Sequence, residues 1–312
     1  MVQEEKLLSI VIPAFNEEQN VIALYHELIP ILKETAFAYE IIFVDDGSKD
    51  HTFVEIKKIA EKDTCVSGIS LSRNFGHQVA LMAGLQESKG DLVIMMDADL
   101  QHPPEIIPLL IEEQKKGFDI INTKRIDAKE TSFAKKSTSK FFYYLMNKLS
   151  DVKVETAAAD FRLMTRKAVD AFLQLEERDR FTRGLISWMG FKQTIIEYKA
   201  SERFSGKSKY TIKKMFRFAM DGITSFSAKP LRISFYFGLI VFIIGLVYSS
   251  YALIKYILHE TVPGWTSMLI SILIIGGIQL LSIGIIGEYI ARIFNESKRR
   301  PLYFIKDKTR EK

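Results

Sequence analysis

The stretch that decides the fold is Leu8-Ser9-Ile10-Val11-Ile12-Pro13-Ala14-Phe15-Asn16-Glu17. Its first five residues form an almost continuous apolar run, which is typical of a strand buried on both faces. Proline 13 ends that strand, and a helical pattern follows from about Glu18. Similar runs recur at 40–44, 66–71, 92–96 and 120–123, separated by helical patterns. This alternation predicts βαβ units and a mostly parallel α/β sheet.

Polar residues follow three of these strands, at 13–17, 45–48 and 97–101. Ligands of open α/β sheets bind outside the carboxyl ends of the strands. Each cluster alone would equally suit a helix cap, but together they place several carboxylates at one edge, where a cation would relieve their repulsion. Asp97, Asp99 and Gln101 therefore predict a site for Mg²⁺ or Mn²⁺, because these ions take oxygen ligands and leave positions for substrate phosphates.

Other kinds of site are excluded or disfavoured. The chain has no Gly-x-x-x-x-Gly-Lys loop and no His or Cys cluster with zinc spacing. Lone histidines such as His77 and His102 are more often structural, and we interpret both in that way. The single cysteine, Cys65, excludes an internal disulfide and fits a reducing compartment.

Two long apolar stretches, 233–258 and 268–290, predict transmembrane helices, since each exceeds the roughly 20 residues that cross a bilayer. A buried hairpin of soluble helices is the alternative. Lysine and arginine flank the pair at 229, 232, 292 and 298–300, whereas the link 259–264 has none. The positive-inside rule then places both termini in the cytoplasm. No cleavable signal is visible at the start of the sequence.

A basic block precedes the first apolar stretch. Residues 199–232 contain nine Lys or Arg and two acidic residues. Within it, 211–226 has one apolar and one basic face, which is typical of a helix lying in a membrane interface. Residues 133–149 show a weaker form of this pattern. The block predicts contact with anionic lipid headgroups. Nucleic-acid binding is the competing interpretation, and the adjacent apolar stretches argue against it.

The motifs together resemble a known family. The stretch 9–17, the turn Asp45-Asp46-Gly47-Ser48 and Met96-Asp97-Ala98-Asp99 resemble the signature of inverting glycosyltransferases with the GT-A fold. Residues 72–76, 99–105, 160–163, 206–210 and 287–289, with the two apolar stretches, resemble polyprenyl-phosphate sugar transferases. These include dolichol-phosphate mannose synthases and, closer, bactoprenol glucosyl- and N-acetylglucosaminyltransferases. The resemblance implies a GT-A domain, a Rossmann-like mixed and mostly parallel sheet, followed by amphipathic interfacial helices and two transmembrane helices.

The resemblance also implies roles for individual residues. Asp160 matches the carboxylate assigned as catalytic base, and Asp99 is a second catalytic candidate. Because a lipid phosphate is mostly ionised at neutral pH, the alternative for Asp160 is to orient the acceptor or to interact with a second cation. We expect four domain segments: 1–200 as the transferase domain, 201–230 as a basic interfacial segment, 231–291 as the two transmembrane helices, and 292–312 as a cytosolic basic tail. Residues expected to bind the nucleotide sugar are Pro13, Phe15, Glu17, Val44, Asp46, Asp97, Ala98, Asp99 and Gln101. Residues expected to bind phosphates or the acceptor are Arg125, Arg203, Lys207, Lys209, Lys136 and Ser139.

The expected activity is inverting transfer of one sugar, glucose or N-acetylglucosamine, from a UDP-sugar to undecaprenyl phosphate at the cytosolic membrane face. Expected partners are membrane lipids, a homo-oligomer, and a flippase or downstream glycosyltransferase, without nucleic acid. The Gln-x-x-Arg-Trp motif of processive synthases is absent from the sequence, which favours a single transfer. Three alternatives stay open: a mannose synthase that uses GDP-mannose, an enzyme that glycosylates another lipid such as diacylglycerol, and a non-catalytic scaffold that binds nucleotide sugar.

Overall fold

A computed structural model describes residues 6–126, 158–178, 180–199, 227–258 and 264–310. It divides into two compact units. One comprises Met1–Tyr143, Val152–Ile212 and Arg300–Lys312, and the other comprises Tyr144–Asp151 and Lys213–Arg299. Several predictions lie outside the described residues: the two amphipathic segments and the roles of Lys136, Ser139, Arg203, Lys207 and Lys209.

Strands and helices alternate along the first unit, as the hydrophobic pattern predicts. The strands are β1 (Leu7–Ala14), β2 (Ala38–Asp45), β3 (Val66–Leu71), β4 (Leu92–Met95), β5 (Ile120–Ile126), β6 (Ala158–Thr165), β7 (Gln193–Lys199) and β8 (Ile305–Lys308). The helices are α1 (Glu18–Glu34), α2 (Thr52–Lys62), α3 (His77–Glu87), α4 (Ile107–Lys115), α5 (Arg166–Leu173) and α6 (Thr182–Trp188), with a 3-10 turn at Pro104–Ile106. The second unit contains α7 (Lys229–Ile257) and α8 (Trp265–Ser297).

The eight strands form one mixed sheet in the order β7-β5-β6-β4-β1-β2-β3-β8. The pairs β1–β2, β1–β4, β2–β3 and β5–β7 are parallel. Strand β6 lies antiparallel between β4 and β5. The predicted mostly parallel α/β sheet is confirmed, and the carboxyl ends of β1, β2 and β4 meet at one edge.

Burial explains why β1 is central. Leu8, Ile10 and Ile12 face one large core cluster and are fully buried. Helix α1 contributes apolar residues at helical spacing to the same cluster, from Val21 to Leu32. A strand with both faces covered needs the continuous apolar run that 8–12 supplies. The polar residues that follow it are thereby fixed at the sheet edge.

The end of the chain differs from the predicted basic tail. Residues 305–308 form β8, an edge strand antiparallel to β3, whereas the sequence predicted 292–312 as one tail. Helix α8 also continues to Ser297, beyond the predicted boundary at 291. The run Ile305-Lys306-Asp307-Lys308 is short and mostly charged, as is common for edge strands. Its pairing partner lies more than 230 residues earlier, so local pattern does not reveal it.

Helices α7 and α8 are long and apolar enough to cross a membrane. Their candidate spans are Lys229–Lys255 and Ile274–Ser297, with mean hydropathies of 2.2 and 1.7. Neither span is buried inside the protein, which argues against the alternative of a soluble core hairpin. The Ser234 and Ser282 hydroxyls are 2.6 Å apart and join the two helices by a hydrogen bond.

Candidate functional site

The site is built where β1, β2 and β4 end. The Asp46 amide donates to the Ala14 carbonyl at 2.9 Å, and the Met96 amide donates to the Val11 carbonyl at 3.1 Å. These bonds continue the parallel ladders by one residue past the strands. They bring the predicted polar clusters after β1, β2 and β4 to the same sheet edge, as the sequence predicts.

Asp45 and Asp46 are adjacent but have different partners. The carboxylate of Asp45 accepts hydrogen bonds from the Ser48 amide at 2.9 Å and the Ser70 hydroxyl at 2.7 Å. It therefore stabilises the turn. The carboxylate of Asp46 accepts from the amides of Phe75 at 2.7 Å and Gly76 at 2.9 Å. Burial raises the pKa of Asp46, and these two bonds oppose that rise.

Gly47 permits this close contact between the β2 turn and the loop 72–77, which follows β3. Its φ is +68°, in the left-handed region that glycine adopts easily. A Cβ at Gly47 would lie 2.4 Å from the carbonyl carbon of Arg73. The glycine is therefore required both by backbone conformation and by the approach of the second loop.

Asp97 and Asp99 follow β4. Asp97 Oδ1 is buried and accepts no hydrogen bond from the described residues, although His77 Nε2 lies 3.3 Å away. Asp99 Oδ1 accepts from the Gln101 amide at 3.2 Å. The side-chain oxygen of Gln101 accepts from Arg125 Nη1 at 2.9 Å. Arg125 thus lies beside Gln101, two residues from Asp99 in sequence, and this hydrogen bond orients its guanidinium.

A divalent cation fits this donor set. Asp97 presents a buried carboxylate oxygen without a hydrogen-bond donor in the described part of the chain, and Asp99 adds a second carboxylate. The described residues contain no group of three His, Cys, Asp or Glu side chains able to hold a metal. Two carboxylates are nevertheless enough for Mg²⁺, which commonly completes its shell with substrate phosphates and water. The side-chain oxygen of Gln101 accepts from Arg125 and keeps a second lone pair with which it could join the cation's ligands.

Asp160, on β6, lies in an ion-pair network. Arg183 Nε is 3.1 Å from Asp160 Oδ1, and Arg183 Nη2 is 3.3 Å from Oδ2. Arg162 Nη2 is 3.4 Å from Oδ1. Burial by itself would raise the pKa of Asp160, but the charges of Arg183 and Arg162 outweigh it and hold that pKa well below its usual range. Asp160 is therefore a persistent anion.

Arg162 is the largest fully buried side chain among the described residues. Burial lowers its pKa to about 10, and Asp160 opposes that effect. An arginine remains charged at neutral pH even so, and a buried charge requires a partner. Residues 160–163 were predicted as a motif without a role for Arg162, and Arg183 was not predicted as a site residue. A charged residue in a strand flanked by core residues, as in Asp160-Phe161-Arg162-Leu163, is the signal that could have found Arg162.

His77 connects the two groups of carboxylates. Its Nε2 lies 3.3 Å from Asp97 Oδ1 and 3.7 Å from Asp160 Oδ2. The interpretation of His77 as a purely structural residue missed this position at the site. His102 fits the structural interpretation better, because it is buried, stacks on Phe161 with centroids 5.1 Å apart, and accepts from the Asp97 amide at 2.9 Å.

The remaining candidates for nucleotide-sugar binding lie around this edge in different environments. Phe15 is 40% exposed after β1, whereas Pro13 is buried. Glu17 accepts a hydrogen bond from Asn20, and its amide donates to Thr52 Oγ1 at 2.9 Å. Val44 and Ala98 have buried side chains, so only their main chains could meet a ligand.

Comparison with known proteins identifies the family. Residues 9–173 match the model of glycosyl transferase family 2, and residues 229–293 match the GtrB C-terminal hairpin. The chain is 42% identical to the prophage bactoprenol glucosyl transferase homolog of Escherichia coli (strain K12), over 96% of this chain and 98% of that one. It is 43% identical to the bactoprenol glucosyl transferase of Shigella phage SfX, over 96% and 99% of the two chains.

A solved structure, glucosyl-3-phosphoglycerate synthase from Mycobacterium tuberculosis, is 18% identical with a TM-score of 0.45, over 70% of this chain and 78% of that one. This likeness is too distant to inform the assignment. The family match and the full-length relatives confirm the resemblance drawn from the motifs. The chain belongs to glycosyl transferase family 2 and is a glycosyltransferase with a GT-A-like mixed sheet followed by a two-helix hairpin.

Proposed function

We propose that this enzyme transfers one glucose from UDP-glucose to undecaprenyl phosphate at the cytosolic face of the membrane, with inversion at the anomeric carbon. N-Acetylglucosamine is the alternative sugar. The observation that carries the proposal is the 42–43% identity to bactoprenol glucosyl transferases over 96% of the chain, the hairpin included. The proposed location is a plasma membrane crossed by α7 and α8, with both termini in the cytoplasm.

The donor side is assigned to the edge formed by β1, β2 and β4. Asp46 and Phe15 are proposed to bind the nucleoside, and Asp97 and Asp99 to bind the diphosphate. A Mg²⁺ or Mn²⁺ ion held by these two aspartates would neutralise charge on the departing nucleotide. Arg125, oriented by its hydrogen bond to Gln101, is proposed to supply positive charge to the same phosphates.

Asp160 is assigned an orienting role on the acceptor side. The second ionisation of a phosphate monoester has a pKa of about 6, so the attacking oxygen is mostly ionised at neutral pH. The reaction then needs little proton removal. The lowered pKa of Asp160 also makes it a weak proton acceptor. Its two contacts with Arg183, at 3.1 and 3.3 Å, instead fix a guanidinium that can attract an acceptor phosphate.

The remaining acceptor contacts are proposed for residues outside the described part of the chain. Arg203, Lys207 and Lys209 precede the amphipathic segment, and Lys136 and Ser139 belong to the weaker one. Lysine and arginine near a bilayer attract anionic headgroups. A homo-oligomer and a flippase or downstream glycosyltransferase are proposed as further partners.

The test is a transfer assay with membranes that contain the full chain. Labelled UDP-glucose, UDP-N-acetylglucosamine and GDP-mannose are each offered with undecaprenyl phosphate or diacylglycerol, in Mg²⁺, Mn²⁺ or a chelator. We expect organic-soluble label from UDP-glucose and undecaprenyl phosphate, and its loss in chelator. Label from GDP-mannose or into diacylglycerol would replace the proposal with that alternative. No lipid-linked label under any condition would refute it.

A pair of variants separates catalysis from a scaffold role. Asp99→Ala removes a carboxylate of the donor site and should reduce turnover by about 100-fold or more, the scale seen when an electrostatic stabiliser is lost. Asp170→Ala removes an exposed carboxylate paired with Arg166 on α5 and is the matched control. Equal activity of the wild type and Asp99→Ala, at equal protein levels, would contradict the assigned site.

A further inference from the structure

We propose that residues 300–310, which follow α8, brace the loop 72–77 and thereby position the donor-site carboxylate Asp46. This C-terminal brace is a positioning element for donor binding. The inference rests on the proposed function for the identity of the donor, and on the described contacts of the first unit for the brace itself. All the residues involved lie in that unit.

The far end of the brace is fixed to the sheet and to α2. Thr309 exchanges two bonds with Gly68: its amide donates to the Gly68 carbonyl at 3.0 Å, and its hydroxyl accepts from the Gly68 amide at 2.9 Å. Lys57 contacts Asp307 at 2.6 Å. Arg310 donates to main-chain carbonyls at the end of α2, including Ala60 at 3.0 Å. These contacts hold the segment in one register along β3.

The near end of the brace contacts the loop. The Phe304 carbonyl accepts from the Ser72 amide at 2.8 Å, directly after β3 ends. The Phe304 and Phe75 rings are tilted by 50° with centroids 6.5 Å apart, within the range of favourable aromatic pairs. The Arg73 guanidinium lies over the Phe75 ring, 4.5 Å from its centroid, in a cation–π contact. The brace thus contacts the loop through its main chain at Ser72 and through the Phe304 side chain at Phe75.

The loop 72–77 makes two sets of contacts with carboxylates of the candidate site. The amides of Phe75 and Gly76 both donate to Asp46. The next residue, His77, lies 3.3 Å from Asp97 and 3.7 Å from Asp160. Gly76 has a φ of +104°, which glycine adopts easily, and glycine loses more conformational freedom on folding than any other residue. Support from Phe304 therefore restricts a segment that would otherwise have more conformational freedom.

Phe304 itself contributes little to the core, which makes a specific positioning role testable. It is 57% exposed. Replacing it by alanine removes the aromatic contact with Phe75 while leaving β8 and its bonds in place. Arg310 is a matched control, because it contacts the end of α2, away from the loop, and the bonds of Thr309 to Gly68 and of Asp307 to Lys57 still hold this end of the segment when its own contacts are removed.

The experiment uses the full chain in detergent or nanodiscs and compares Phe304→Ala, Phe304→Tyr and Arg310→Ala with the wild type. UDP affinity is measured by titration calorimetry, and KM for UDP-glucose and for undecaprenyl phosphate by the transfer assay. Hydrogen exchange by mass spectrometry follows the amides of the loop 72–77. The exchange measurement needs no nucleotide, so it tests the brace even if the proposed donor is wrong.

We expect Phe304→Ala to raise the Kd of UDP and the KM of UDP-glucose by about threefold to tenfold, the factor expected from loss of one aromatic pair. The KM of undecaprenyl phosphate should change by less than about twofold. Exchange at Phe75 and Gly76 should accelerate. Phe304→Tyr should restore both properties, and Arg310→Ala should leave them at the wild-type values.

Two results would overturn the brace. One is unchanged exchange at the loop in Phe304→Ala. The other is an equal effect of Arg310→Ala, which would mean general loosening of the domain. Should the wild type bind no UDP, the proposed function would fail, and the exchange data alone would decide whether the segment braces the loop.

Discussion

Removal of the Asp160 charge is the perturbation whose size follows most directly from the structure. Asp160→Asn keeps the side-chain shape and leaves the fully buried Arg162 and the neighbouring Arg183 without their shared anion. Removing one partner of a buried ion pair typically costs about 3–5 kcal/mol. We take the lower end, about 3 kcal/mol, because Asp97 also acts on the charge of Arg162.

The assay is thermal unfolding of the full chain in detergent, followed by tryptophan fluorescence. The chain has two tryptophans, so a Trp265→Phe background leaves Trp188, at the end of α6, as the reporter. A loss of about 3 kcal/mol should lower the Tm by about 6–12 °C for a domain of this size. Asp170→Asn, which breaks an exposed pair with Arg166, is the control and should cost at most about 0.5 kcal/mol.

The lowered pKa of Asp160 also determines how the Tm difference between the wild type and Asp160→Asn depends on pH. The folded-state pKa of Asp160 lies below its unfolded value of about 3.9. Its stabilisation is therefore fully present above about pH 5 and is lost as the pH falls through the folded-state pKa. The Tm difference between wild type and Asp160→Asn should be constant from about pH 5 to 8 and should narrow below about pH 4. A Tm loss under 2 °C at pH 7, or a difference that does not narrow in acid, would refute the ion-pair reasoning.

Three further outcomes are expected. Gly47→Ala should destabilise the enzyme by about 3 kcal/mol, through a strained positive φ and overlap with Arg73. Gly117→Ala, also at positive φ but with no atom closer than 4.0 Å, should cost only about 1 kcal/mol; equal Tm values would contradict the overlap. As the pH is lowered, kcat/KM should fall with an apparent pKa of about 6, because the acceptor phosphate becomes protonated. Asp160→Glu should leave this apparent pKa unchanged, and a shifted value would assign the fall to the carboxylate instead. Ser282→Ala should destabilise the α7–α8 hairpin by about 0.6 kcal/mol, because the hydrogen bond to Ser234 is lost. The measurement is the Tm of the hairpin, followed by a fluorescent probe attached to it. A cost above about 2 kcal/mol would contradict this estimate.

The strand-and-helix pattern, the mostly parallel sheet and the family were predictable from the sequence alone. A buried strand such as 8–12 has a local signal, because both of its faces are apolar. The length of an apolar stretch is likewise a local property, and it predicted α7 and α8. The clusters at 45–48 and 97–101 were predictable as neighbours, because the ends of parallel strands meet at one edge of the sheet.

Tertiary structure alone decided which charges meet. Asp160, Arg183 and His77 come from a strand and two helices far apart in sequence, and no spacing rule brings them together. The pairing of β8 with β3 is equally non-local, so a short charged run predicted only a tail. The local pattern of apolar and polar residues indicates which residues are buried, because burial favours apolar side chains. Ion pairs and edge-strand contacts instead depend on the three-dimensional path of the whole chain.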